Sequence, residues 1–152
     1  MSTLNRKMTS QICVLVRDVH AKAAAWAKFL QVQMPEVTVS ERYDITKAVY
    51  RGEPCDGQIY QAIFDMDNIQ LEVVGPVDGT SSYWRDYLDS HGEGLHHIAF
   101  RTSNMQDTLA ELKDEGYDMI QWGCWLAEPK DGQYAYITSK EKLGCVIELL
   151  DF

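Results

Sequence analysis

The sequence repeats itself at a constant offset of 86 residues, and that repeat narrows the possible folds more than any other feature. QICVLVRDVHAKAAAWAKFL (Gln11 to Leu30) aligns with HIAFRTSNMQDTLAELKDEG (His97 to Gly116). Each copy opens with an apolar run whose β-branched and aromatic content favours a strand. Each then reaches a residue suited to N-capping, Asp18 in one and Asn104 in the other. Beyond the caps, Val19, Ala23 and Trp26 match Met105, Leu109 and Leu112 at helical spacing. Gly116 stands where a C-cap glycine belongs.

The halves also close alike. IQLEVV (Ile69 to Val74) and CVIELL (Cys145 to Leu150) are short apolar runs, each with one embedded carboxylate. QIYQAIFDMDNIQLEVV alternates on both sides of a polar turn and predicts a hairpin centred on Met66 and Asp67. Met119 to Trp122 and Gly132 to Thr138 supply two further strands. Tyr83, Trp84, Tyr87 and Leu88 have the i, i+4 spacing of a short linking helix. The expected fold is therefore α+β: one domain over 1–152, made of two βαβββ modules. Module one covers about 10–76, the linking helix about 80–90 and module two about 95–152.

A carboxylate inside a buried strand is costly unless paired or bound to metal. One such glutamate would suggest only an exposed sheet face, but Glu72 and Glu148 hold the same place in equivalent units. Gln11 and His97 are also equivalent, each at the head of its strand. By alternation Gln11, Cys13 and Leu15 share one face, as do His97, Ala99 and Arg101, while Ile12, Val14 and Val16 face the helices. If the sheets pair into a cup, the four polar residues converge inside it. One imidazole nitrogen, two carboxylates and an amide oxygen suit a borderline divalent ion. His96 has the opposite parity and is read as structural or as a supporting donor. His20 and His91 are read as solvent-exposed.

These segments resemble the vicinal oxygen chelate (glyoxalase/bleomycin-resistance/dioxygenase) superfamily, whose paired βαβββ modules form a metal-lined cup. The resemblance covers nearly the whole chain, and within the superfamily methylmalonyl-CoA epimerase and glyoxalase I are most similar. IQLEVVGP, GEGLHHIAF and GCVIELL are similar to the epimerase's second, third and fourth ligand segments, and YWRDYLDSHGEGLHHIAF is the most epimerase-like stretch. The resemblance implies metal ligands at Gln11, Glu72, His97 and Glu148. Epimerases generally open with His where this chain has Gln11, whereas zinc-type glyoxalase I uses Gln, Glu, His and Glu in that order. The ligand set thus leans one way and the surrounding segments the other.

Both relatives move a proton on a carbon beside a carbonyl. The resemblance implies one divalent ion (zinc, nickel, cobalt or manganese), with Glu148 as first choice of base. Epimerisation needs a second base on the opposite face, a role open to Glu72 assisted by Gln61. The alternative for Gln61 is a cross-strand hydrogen bond that only orients Glu72. Arg101 is a candidate for a substrate carboxylate or thioester-linked group, and Trp122 and Tyr136 are candidates to line a substrate pocket. Trp125 and Tyr134 belong to the same aromatic cluster. Lys130, Lys140 and Lys142 are read as surface residues before they are read as contacts to an anionic tail. The expected substrate is an acyl-CoA thioester or a glutathione hemithioacetal, and a homodimer is expected from the resemblance. The rivals are a metal-free sequestering protein and a ring-cleaving dioxygenase, whose two-histidine site Gln11 breaks.

Composition removes other classes. A net charge of −9 argues against nucleic acid and anionic membranes. No apolar run approaches the roughly 20 residues needed to span a bilayer, and MSTLNRKMTS lacks the apolar core of a secretory signal. Cys13, Cys55, Cys124 and Cys145 are scattered and read as reduced thiols, so a cytoplasmic location is expected.

Overall fold

The computed structural model describes residues 3–152. The strand β1 (Leu4–Leu15) leads into the helix α1 (Val19–Leu30), and an excursion follows: β2 (Thr38–Val39), α2 (Tyr43–Thr46), β3 (Val49–Tyr50) and β4 (Glu53–Pro54). The hairpin β5 (Ile59–Asp65) and β6 (Gln70–Pro76) closes the first half, and α3 (Tyr83–His91) links it to the second. There β7 (Gly94–Thr102), α4 (Met105–Asp114), β8 (Met119–Trp125), β9 (Gly132–Ile137), α5 (Lys140–Leu143) and β10 (Val146–Asp151) follow.

The helices start where the caps predict. The Asp18 carboxylate accepts from the Ala21 amide at 3.0 Å, and the Asn104 side chain accepts from the Asp107 amide at 3.0 Å. Past the end of α4, Gly116 takes φ = 92°, a left-handed conformation that favours glycine. The side of α1 carrying Val19, Ala23 and Ala27 packs on Val16, Ala62, Phe64, Leu71 and Val73. In the other half Met105 and Leu112 of α4 pack on Ala135, Ile137, Ile147 and Leu149. α1 and α4 thus cover one face of the sheet, while α3 packs Trp84, Tyr87 and Leu88 against part of the other, beside the site.

All ten strands form one curled sheet, in the order β2-β5-β6-β1-β7-β10-β9-β8-β3-β4. The second half is a βαβββ unit as expected. In the first half β1, β2, β5 and β6 make the matching four strands. The β3–β4 excursion leaves its own half and pairs with β8 through Val49↔Trp122 and Tyr50↔Gln121. The halves join where β1 and β7 run antiparallel, with β6 parallel to β1 and β10 parallel to β7. One chain therefore forms the whole cup.

Two local expectations need correction. Neither Gln11 nor His97 heads its strand: β1 starts at Leu4 and β7 at Gly94. The early part of β1 is exposed and irregularly paired, so its residues carry no apolar alternation. The β5–β6 hairpin pairs Ile63 with Glu72 and Gln61 with Val74, two positions away from the expected register. A slip of two keeps every side chain on its face, so Gln61 remains beside Glu72 as a diagonal neighbour.

Candidate metal centre and substrate cavity

Four adjacent strands at the centre of the sheet each deliver one polar side chain to the concave face. Gln11 comes from β1, Glu72 from β6, His97 from β7 and Glu148 from β10. Glu72 pairs across from Cys13, two residues after Gln11, and Glu148 across from Ala99, two residues after His97. The internal repeat is thereby reproduced in space.

All four residues are buried, none more than 5% exposed. His97 Nε2 lies 3.0 Å from a Glu148 oxygen and 3.5 Å from a Glu72 oxygen. The Gln11 Oε1 position lies 3.2 Å from His97 Nε2, 3.3 Å from Glu72 Oε2 and 3.1 Å from Glu148 Oε2. Ligand atoms held about 2.0–2.2 Å from one ion stand roughly 3–3.6 Å from one another. The spacing and chemistry of the four donors fit a divalent cation, and Glu72, His97 and Glu148 together form a candidate ligand group.

The electrostatics point the same way. Burial pushes the Glu148 carboxyl up, and the neighbouring His97 opposes that shift. Burial pulls the His97 ring down, but the Glu148 carboxylate beside it holds the imidazole well above its ordinary value. With the imidazole and the carboxylate 3.0 Å apart, the metal-free pair keeps a proton that a cation would displace. Burial drives the Cys13 thiol up to about 12, so it is an inert neighbour.

Supporting side chains fix the donors in place. Gln61 Nε2 donates to Glu72 Oε1, as the orienting alternative expects. Gln11 Nε2 donates to Gln70 Oε1 at 2.9 Å, and Gln70 Nε2 donates to Asp65 at 3.0 Å. Tyr136 pairs directly across from Glu148, and its hydroxyl accepts from Trp84 Nε1 at 3.0 Å. His96 approaches His97 with 2.9 Å between their Nδ1 atoms.

Above the four donors opens a cavity of about 790 Å³. Trp84, Tyr134 and Tyr136 line it, with Ile63, Ile69 and Leu150 beside them. Its lining also includes the exposed apolar side chains Val39, Met66, Leu126 and Phe152. Arg101 is the one cationic side chain among the described lining residues, and it stacks 3.9 Å over the Phe152 ring.

Of the residues expected to meet substrate, Gln61, Arg101 and Tyr136 line this cavity. Trp122 does not: it packs with the α4 cluster on the convex face, where its Nε1 donates to Gln133. Trp125 lines the cavity instead. Sequence reading also passed over Gln70, although alternation puts it on the same face as Glu72. The three lysines lie away from the cavity: Lys130 pairs with Asp151, Lys142 donates to the Gly116 carbonyl and Lys140 sits over Tyr87. His20 and His91 are exposed. All four cysteines are unpaired, and no helix among the described residues is long and apolar enough to cross a membrane.

Residues 10–136 match the family model for the Glyoxalase/Bleomycin resistance protein/Dioxygenase superfamily. The uncharacterized protein YqjC of Bacillus subtilis is 29% identical over 94 residues, which cover 59% of this chain and 63% of that relative. Among solved structures, methylmalonyl-CoA epimerase from Mycobacterium tuberculosis superposes with a TM-score of 0.68 at 18% identity, covering 99% of this chain and 90% of that one. A hypothetical protein from Bacillus halodurans gives 0.63 at 16% identity, covering 95% and 93%. A methylmalonyl-CoA epimerase in complex with methylmalonyl-CoA and NH4+ gives 0.62 at 18%, with the same coverage. At these identities the structural likenesses establish the fold.

Proposed function

The chain belongs to the Glyoxalase/Bleomycin resistance protein/Dioxygenase superfamily, and from that premise we propose that it is a divalent-metal-dependent isomerase or lyase moving a proton on the carbon beside a carbonyl. The observation that carries this reading is the convergence of an amide oxygen, two carboxylates and an imidazole nitrogen at the floor of a substrate-sized cavity. Gln11, Glu72, His97 and Glu148 would hold zinc, nickel, cobalt or manganese. Bound there, the ion would act as a Lewis acid toward a carbonyl oxygen.

Glu148 is the proposed base. Burial raises its proton affinity toward the range useful for proton transfer near neutral pH. Tyr136 stands directly across from Glu148, and Trp84 holds the Tyr136 hydroxyl. Glu72 differs because the Gln61 amide occupies one of its oxygens. That bond favours Glu72 as a positioned ligand and leaves Glu148 to remove and return the proton. A single base suits the isomerase or lyase type of transfer, as in lactoylglutathione lyase. Epimerisation of the methylmalonyl-CoA kind instead needs Glu72 as a second base.

The proposed substrates are acyl-CoA thioesters or glutathione hemithioacetals. The cavity favours the less charged of the two, since Arg101 is joined in the lining by Glu41 and Asp65 and by exposed apolar side chains. The proposal includes a cytoplasmic homodimer; the unpaired cysteines are in keeping with that compartment.

The test is solvent deuterium incorporation at the carbon beside the carbonyl, with protein loaded in turn with each of the four metals. Probes are 2-substituted acyl-CoA thioesters and hemithioacetals of glutathione. Metal-dependent exchange in either class supports the proposal. Exchange in neither, with metal bound, would move the protein to the ligand-sequestering members of its family.

A further inference from the structure

Gln11 is the ambiguous member of the donor set, because an amide can present oxygen or nitrogen and only the oxygen offers a cation a lone pair. We infer that Asp65 and Gln70 settle that choice: a two-step hydrogen-bond relay turns the Gln11 oxygen toward His97, Glu72 and Glu148, which makes both of them positioning residues for the metal. The inference rests on the metal reading of the site.

The relay begins with a group of fixed polarity. A carboxylate only accepts, so Gln70 must turn its NH2 to Asp65, at 3.0 Å. The Gln70 oxygen is then left to face Gln11 and accepts from its Nε2 at 2.9 Å. The Gln11 oxygen consequently faces inward, 3.1 and 3.3 Å from oxygens of Glu148 and Glu72.

Turning the Gln11 amide over would let its nitrogen donate to both glutamates and satisfy the cluster without a cation. It would also set the Gln11 oxygen against the Gln70 oxygen at 2.9 Å. Relieving that clash by turning Gln70 would bring its oxygen against Asp65. Each reversal passes the conflict one residue outward until it meets a group that cannot reverse. The chain thus runs from the exposed end of the β5–β6 hairpin to the buried donor set, and it selects the arrangement in which the Gln11 oxygen faces the carboxylate oxygens and a bound cation is favoured.

The test is cobalt and zinc affinity, read by chelator competition and by the visible spectrum of the cobalt-loaded protein, independently of activity. Gln70→Lys replaces an acceptor by a pure donor, and the relay predicts a loss of about tenfold or more in affinity with an altered cobalt spectrum. A cation at position 70 also repels the metal, so the same change is made in a Gln11→Glu background, where either carboxylate oxygen can ligate. There the loss should shrink to threefold or less. Asp65→Leu, which removes one negative charge without placing a cation near the metal, should weaken binding more in the unaltered background than with Gln11→Glu. Far-UV circular dichroism of each metal-free variant monitors folding. Equal losses in both backgrounds, or an unchanged spectrum in Gln70→Lys, would overturn the relay. Failure of the unaltered protein to bind cobalt or zinc would instead overturn the metal reading beneath it.

Discussion

His96 and His97 are consecutive in the chain, yet their Nδ1 atoms stand 2.9 Å apart. Neighbours on a regular strand point to opposite faces. Here Cys13 pairs with His97 while Val14 pairs with Leu95, so β7 carries an extra residue at that point, and the resulting bulge re-aims His96. With His97 Nε2 turned to the carboxylates, its Nδ1–H donates to His96. His96 is then protonated on Nε2, the buried atom without a hydrogen-bond partner. The Tyr87 ring lies edge-on to His96 at 4.6 Å, and burial holds His96 well below its ordinary value, hence neutral.

Removing this acceptor should loosen the His97 ring. His96→Leu is expected to lower zinc affinity by roughly 10- to 100-fold, the usual cost of losing an outer partner of a metal ligand. His96→Asn, which keeps an acceptor, should recover part of it. Chelator competition measures both.

Glu148→Gln keeps a donor oxygen but cannot take a proton. Solvent deuterium exchange should fall by about 10²- to 10⁴-fold, the usual worth of a positioned base, with the circular dichroism spectrum unchanged. Exchange at the unaltered rate would remove Glu148 from that role.

Metal binding should weaken as pH falls. His97 is held above its ordinary value by Glu148, so the metal-free pair carries a proton at neutral pH, and the metal must displace it. Below the raised imidazole value, each unit of pH is expected to cost about tenfold in affinity per proton released. Titration calorimetry in buffers of different ionisation enthalpy should report release of about one proton per ion near pH 7. Binding independent of pH between 6 and 8 would contradict the assignment.

Trp122 and Trp125 provide a paired control, since they lie on opposite faces of β8. Trp125→Ala should raise KM, because Trp125 lines the cavity. Trp122→Ala should instead lower Tm, because that ring packs in the helix-side core. A thermal melt and a substrate-saturation curve on each variant distinguish the two.

Much of this was legible in the sequence because the repeat converts a weak signal into a strong one. Glu72 alone is an ordinary strand glutamate; Glu72 and Glu148 in equivalent positions mark a shared interior. Strand alternation then put Gln11 and His97 on the same concave face, with Arg101 farther along it. What escaped has physical causes. Two-residue strands such as β2, β3 and β4 have no periodicity to read. The bulge at His96 breaks the alternation that parity arguments assume. Trp122 and Trp125 differ only in which face of β8 they take, and composition does not record faces. The hairpin register depends on the turn, which lies one residue beyond its predicted centre.

The central claim is that four strands hold one divalent ion, and metal content tests it most directly. Elemental analysis of protein purified without chelators, followed by titration of stripped protein with zinc, nickel, cobalt and manganese, should give close to one equivalent per chain of at least one metal, lost in His97→Ala and in Glu72→Ala. Absence of stoichiometric binding by all four metals, or full occupancy in the His97→Ala variant, would contradict the account.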